Sequence, residues 1–239
     1  MNTFISAPFG NYIKKKNECI AVTGTWTLEP RGNRLLAVLK TLRYNRKLGG
    51  WTNRLGLPNP GLDVGLSKTL PAEVLSIAAT TNTDFKVLNS IIPESKNIEI
   101  NLSCPNIHGL KISELEWSGA GIFLNDWRRW CIAKVSPLTT MKELTYLIDT
   151  LGFKQIHCSN TLPVPLVGGL SGNELIPYTK ILIKMIRSTW KDNIEIIAGG
   201  GIQNIGTVTE YINEGANHVS IGSLCFNPFK LNKLLKTIT

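Results

Sequence analysis

Ile194-Glu195-Ile196-Ile197-Ala198-Gly199-Gly200-Gly201-Ile202-Gln203-Asn204 joins a short apolar run to a glycine triplet and leads into a segment of helical spacing, Ile205–Glu214. A strand that turns through glycines into a helix lets backbone N–H groups converge on an anion at the helix N-terminus. The next unit repeats the arrangement: the run His218–Ile221 ends in Gly222-Ser223 and precedes a further helical segment, Pro228–Lys236. Strand, glycine turn and helix in successive units mark a parallel α/β architecture with a phosphate grip at its strand ends. Such a grip serves sugar phosphates and flavins alike.

Upstream, short β-rich runs bounded by turn residues occur at Cys19–Val22, Gly50–Thr52, Val74–Ala78, Ile98–Leu102, Cys131–Val135 and Gln155–Cys158. With Ile194–Ala198 and His218–Ile221 they make eight, and helical spacing at Arg34–Leu42, Phe85–Ile91, Met141–Leu151 and Glu174–Trp190 separates several of them. Eight such units in 239 residues predict an α/β fold, a (β/α)8 TIM barrel with trimmed peripheral helices, as a single domain over 1–239. Asn53–Glu73, rich in Gly and Pro, and Asn106–Trp130, with little helical periodicity, read as long loops over the barrel mouth. Chemistry in this architecture sits at the C-terminal ends of the strands. Those ends are polar here: Thr23-Gly24-Thr25, Asn53, Thr80-Thr81-Asn82, Asn101, Lys134 with Ser136, and Ser159-Asn160-Thr161. A mouth of amides and hydroxyls suits a flat heterocycle with several carbonyl and imide groups.

At 43% hydrophobic and 18% charged residues the chain is of globular composition. No apolar stretch approaches the ~18 residues of a membrane span, and the opening residues lack signal-peptide character, so a cytoplasmic protein is predicted. Five cysteines, an odd number without a C-x-x-C pair, argue against a disulfide framework and a zinc site, and no metal is predicted. The net charge of +9 is concentrated in residues 1–60, which hold ten Lys or Arg against two Glu. That excess, including Lys14-Lys15-Lys16, Arg43, Arg46, Lys47 and Arg54, could draw in an anionic substrate, a cofactor phosphate or nucleic acid. No nucleic-acid motif accompanies it, so no nucleic-acid partner is predicted.

The densest chemistry lies in Asn101-Leu102-Ser103-Cys104-Pro105-Asn106, which follows the alternating run Asn97-Ile98-Glu99-Ile100. It gathers amides, hydroxyl and thiol at a strand end that proline terminates. Together with Ser6-Ala7-Pro8-Phe9-Gly10, Leu28-Glu29-Pro30-Arg31-Gly32-Asn33, Asn53-Arg54-Leu55-Gly56-Leu57-Pro58-Asn59, Lys134, Ser159-Asn160-Thr161, Gly168-Gly169-Leu170-Ser171-Gly172, Gly199 to Ile202 and Gly222-Ser223, it resembles the dihydroorotate dehydrogenase family, an FMN-dependent barrel group, over nearly the whole chain. The resemblance implies oxidation of dihydroorotate to orotate in pyrimidine biosynthesis, with hydride passing to N5 of FMN. By position it implies Cys104 as general base and Lys134 beside the electron-rich edge of the flavin. Asn53, Asn101, Asn106, Asn160 and Thr161 would bind the pyrimidine, with Arg54, Leu55, Gly56 and Leu57 from the substrate loop. Ser6, Ala7, Gly24, Thr25, Asn101, Lys134 and Ser159 would meet the flavin, and Gly172, Gly200, Gly201, Gly222 and Ser223 its phosphate. A cysteine base accompanies the family's soluble branch. That branch works as a homodimer reducing fumarate, or passes electrons to NAD through a partner subunit carrying a second flavin and an iron–sulfur cluster.

The chain departs from the family at Thr23-Gly24-Thr25, where a lysine usually follows the threonine. Arg54 is the candidate to supply the missing charge to a substrate carboxylate. The departure keeps other readings in view: a flavoprotein acting on another dihydropyrimidine, a flavin-binding homologue without turnover, or a sugar-phosphate lyase or isomerase on the same barrel. His157 and His218 fall on strands and read as core or rim residues, and His108 reads as a loop side chain.

Overall fold

Eight parallel strands close on themselves in the computed structural model, which describes residues 1–14, 18–102 and 117–238 apart from the side chains of Arg34 and Asn82. In chain order the strands are β1 Thr3–Ile5, β2 Ile20–Trp26, β3 Arg43–Asn45, β4 Gly50–Asn53, β5 Val74–Ile77, β6 Ile98–Asn101, β7 Cys131–Val135, β8 Gln155–Cys158, β9 Leu162–Val164, β10 Gly168–Gly172, β11 Glu195–Gly199 and β12 His218–Ile221. The barrel runs β1-β12-β11-β8-β7-β6-β5-β2, and a separate four-stranded antiparallel sheet runs β3-β4-β10-β9. The expected (β/α)8 barrel is therefore present, with one exchange of strands. Gly50–Thr52, expected as a barrel strand, belongs to the smaller sheet, where Gly50 pairs with Gly172 and Asn53 with Gly169. The eighth place is taken by β1, which lies between β12 and β2. Period-2 alternation is the same in either sheet, and a three-residue strand is too short to display it.

Asn53–Glu73 is likewise not loop throughout, since it contains the helix Leu62–Lys68 with Asp63 in its first turn. Gly65 brings this helix against β2: a Cβ there would lie 2.7 Å from the Trp26 indole. Elsewhere capping chemistry starts the helices where the sequence places them. Thr81 and Asp84 close a reciprocal box at Asn82–Ile91, and Thr140 and Glu143 do so at Met141–Thr145. Among the described residues no helix is long and apolar enough to cross a membrane.

The strand repeat of two sets the layers inside the barrel. Phe4, Val22, Val74, Ile132 and Ile197 form an apolar plug with Trp130. Two residues further along β1, β5 and β7 stand Ser6, Ser76 and Lys134, and Glu99, His157 and Ser220 join them from neighbouring strands. Apart from half-buried Ser6, this upper layer is polar yet buried, with Glu99 and Ser76 fully inaccessible. The alternate, outward residues, such as Leu75, Ile77, Ile98, Ile100, Ala133 and Ile196, meet the surrounding helices in the main core.

Candidate active site

A cavity of about 630 Å³ lies at the C-terminal ends of the barrel strands. Part of its lining is polar or glycine, with Ala7 among it: Ser6, Asn53, Lys134, Ser159, Asn160, Thr161, Gly172, Gly200, Gly201, Gly222 and Ser223. Beside it stands an apolar wall that includes Phe9, Leu35, Val38, Leu42, Trp51 and Phe226. A recess of about 130 Å³ shares Ala7, Asn53, Leu55, Lys134, Asn160 and Thr161 with it and adds Gly24, Thr25, Leu57 and Asn101. The structure thus brings most residues expected from the sequence into two connected linings. Gly56 and Arg54 are in neither: the Gly56 carbonyl accepts from Arg31 at 3.3 Å, and Arg54 Nε donates to the Val167 carbonyl at 3.2 Å. Cys104, Asn106 and His108 lie outside the described residues, as do Lys15 and Lys16.

The end of the cavity at β11 and β12 is made of backbone. Gly200 and Gly201 have φ of +97° and +72°, and a Cβ on either would press on Leu175 at 2.8 Å or Ile176 at 2.6 Å. Only glycine lets this loop sit so close to the start of the helix Ile176–Trp190. At Gly222 the nearest atom to an added Cβ would be Ser6 Oγ at 3.9 Å, so the glycine opens space into the cavity. Glycine-lined backbone at one end and an apolar wall beside it fit a phosphorylated planar group.

Beneath both linings lies a charge network that the sequence reading missed. Lys134 Nζ is 3.5 Å from Glu99 Oε1, Ser76 Oγ donates to the same oxygen at 2.9 Å, and His157 Nδ1 is 2.6 Å from Glu99 Oε2. Burial alone would raise the Glu99 carboxyl. The Lys134 charge, His157 and the hydrogen bonds from His157 and Ser76 outweigh it and hold the carboxyl down to about 2. Burial, aided by Lys134, pushes His157 down against the pull of Glu99. A neutral imidazole facing a carboxylate carries its proton on Nδ1, which leaves Nε2 buried with no hydrogen-bond partner among the described residues. The signal was available in the strand repeat: Glu99 stands two residues before Asn101 and shares its face.

A depressed carboxylate stabilises the fold above its unfolded value and loses that contribution as pH falls through the folded one. Glu99 therefore contributes fully above about pH 4.5 and progressively less toward pH 2. Glu195, bound by Arg129, His218 and Gln155 and also held at about 2, acts in the same window. Urea midpoints measured from pH 7 downward are expected to hold until about pH 5 and then fall, and less steeply for Glu195→Gln.

Gly24 stands where the lysine is missing, and the structure shows why a side chain is not simply restored there. Its φ is +103°, and a Cβ would lie 2.5 Å from the Ser76 carbonyl and 2.7 Å from the Trp26 indole. Gly24→Lys is expected to cost about 2–4 kcal/mol in urea denaturation through positive φ and overpacking. An unchanged midpoint would show that β2 yields at this point.

Fold and cavity together define a barrel with a glycine-lined cavity end at the strand termini, an amide-lined recess and a buried lysine, Lys134, common to both. The family model for dihydroorotate dehydrogenase matches residues 8–239, and the chain belongs to that family of flavoprotein oxidoreductases acting on CH–CH bonds. The catalytic subunit of dihydroorotate dehydrogenase B (NAD(+)) from Listeria welshimeri is 30% identical, over 87% of this chain and 76% of its own length. The corresponding subunit from Latilactobacillus sakei is 28% identical, over 89% and 77%. A crystal structure of DHODH from Eimeria tenella in complex with ferulenol superposes with a TM-score of 0.77 at 17% identity, over 99% of this chain and 80% of that one, a likeness of fold.

Proposed function

We propose that this chain oxidises dihydroorotate to orotate with FMN as resident cofactor, residues 1–239 acting as one barrel domain. The observation that carries the reading is Lys134, 4% exposed on β7, common to the lining of the larger cavity and of the asparagine-bearing recess. FMN, when bound, supplies a hydride acceptor. Gly172, Gly200, Gly201, Gly222 and Ser223 would hold its phosphate, with Ser6, Ala7, Gly24, Thr25, Asn101 and Ser159 toward the ring. Lys134 would offer positive charge to the flavin edge where negative charge develops. Asn53, Asn101, Asn106, Asn160 and Thr161 would orient the pyrimidine, with Arg54, Leu55, Gly56 and Leu57 beside them. Cys104 would take the proton from the carbon next to the one losing hydride, leaving a C=C bond in the ring.

A homodimer of the catalytic chain is part of the proposal, and the names of the relatives, catalytic subunits of an NAD(+) enzyme, support electrons leaving to NAD through a further, electron-transfer subunit. The obstructed position of Gly24 favours a second reading, a dihydropyrimidine without the carboxylate. An anaerobic visible spectrum before and after adding dihydroorotate tests the proposal. Bleaching of a yellow protein is expected. Bleaching by dihydrouracil alone would select the second reading, and a protein unable to take up FMN would overturn both.

A further inference from the structure

Asn59, on the loop between β4 and the helix Leu62–Lys68, is 2% exposed, and each of its polar atoms is hydrogen-bonded. Its backbone exchanges two bonds with Arg31, from Arg31 N–H to the Asn59 carbonyl at 2.8 Å and from Asn59 N–H to the Arg31 carbonyl at 2.9 Å. Asn59 Oδ1 accepts from Thr27 N–H at 3.2 Å and from Gly61 N–H at 2.9 Å. Asn59 Nδ2 donates to Thr27 Oγ1 at 2.9 Å and to the Leu57 carbonyl at 2.8 Å. The sense of this amide cannot reverse, because backbone N–H groups only donate and a backbone carbonyl only accepts.

The link to Leu57 acts on an unfavourable piece of backbone. Gly56 and Leu57 stand at φ of +66° and +57°. Glycine adopts this region freely, whereas a leucine is crowded there by its own Cβ, and a following proline, here Pro58, draws the residue before it toward extended backbone. Both carbonyls of the turn are held from outside it. Arg31 Nε donates to that of Gly56 at 3.3 Å, and Asn59 Nδ2 donates to that of Leu57. The peptide between Gly56 and Leu57 is trans, so turning the Gly56 carbonyl to Arg31 turns the Leu57 N–H away from it. That N–H has no acceptor among the described residues, and Leu57 lines the recess beside Leu55 and Pro58.

We propose that Asn59 is a positioning residue for the recess, holding Leu57 in the left-handed turn that forms the wall against which the ring lies. The inference rests on the dihydropyrimidine reading of the site. Asn59 lines neither the cavity nor the recess, so its effect on a ligand passes through Leu57.

Asn59→Asp keeps an oxygen for Thr27 and Gly61 and removes both donors, while Asn59→Ala removes the amide without adding charge. In each variant, loaded with FMN, the flavin spectrum is expected to report orotate binding weakened by about tenfold, the loss of one buried link. Half-reaction kinetics with dihydroorotate should show the same factor in the half-saturating concentration and little change at saturation, with FMN uptake unaltered. Thr27→Val removes a different partner of the same amide and should leave orotate affinity unchanged, which separates the hold on Leu57 from stability at large. Crystals of ligand-free Asn59→Ala should show Leu57 at negative φ. Leu57 still at positive φ there would overturn the proposal whatever the ligand does. So would an orotate affinity equal to that of the unaltered chain, or an equal loss in Thr27→Val. If the unaltered protein neither binds orotate nor bleaches with dihydroorotate, the functional reading fails, and the backbone of the variant still decides the role of Asn59.

Discussion

Lys134→Met is expected to lose about 3–5 kcal/mol of folding stability near pH 8 and to recover part of it near pH 6. Methionine keeps most of the volume but removes the cation facing a fully buried carboxylate. Breaking a buried ion pair by removing one partner leaves the other charge uncompensated. Here a substitute is at hand, because His157 already binds Glu99 Oε2 at 2.6 Å and is kept neutral by burial and by the Lys134 charge. Without Lys134 the second of these causes disappears, and the attraction of Glu99 raises the folded-state value of His157. A histidine raised in the folded state stabilises below its unfolded value, near 6.5, and that contribution is lost as pH rises through the folded value. Urea midpoints of the variant should therefore decline from about pH 6 to about pH 8 more than those of the unaltered chain. An equal deficit at both values would mean that His157 does not take over the charge.

Cys104→Ala is expected to slow flavin reduction by dihydroorotate by about 10²–10⁴-fold, the usual contribution of a positioned base. FMN uptake, orotate affinity and reduction by dithionite should be nearly unaltered, since the role proposed for Cys104 is that of proton acceptor. Cys104→Ser should retain partial activity that rises with pH, because a serine hydroxyl is a far weaker base than a thiolate. Anaerobic stopped-flow absorbance of the flavin band measures all of these. An alanine variant reduced at the rate of the unaltered chain would remove Cys104 from the reaction.

How far the sequence could be read depended on where each signal resided. Runs such as Cys131–Val135 and His218–Ile221 coincide with their strands because apolar stretches bounded by turns are local signals. Gly50–Thr52 reads as a barrel strand but lies in the smaller sheet, because pairing with Gly168–Gly172 is a long-range fact that alternation does not encode. The helix Leu62–Lys68 escaped because Gly61, Pro60 and Pro58 before it mask its start. Asn53, Lys134, Asn160 and the glycines were legible by their places at strand ends, and the cavity gathers them. Glu99 and His157 were not, since one reads as the polar member of an alternating strand and the other as a core histidine. Their importance arises only when neighbouring strands bring them to one layer. The wall from Leu35, Val38 and Leu42 is illegible for a similar reason, since the segment Arg34–Leu42 shows its periodicity in sequence but not what its apolar face covers.

The closing of the barrel by β1 also has a temporal side. Thr3 pairs with Val219 and Ile5 with Ile221, so on the ribosome β1 waits for β12, more than 200 residues later, before its second edge is covered. Until then the nascent chain holds a curved, open sheet with unpaired N–H and C=O groups on both margins, the kind of edge that recruits other chains. Contacts this distant in sequence raise contact order and slow folding. Emergence of β12, rather than of any earlier segment, would then be the step at which the barrel covers its margins and becomes safe from misassembly.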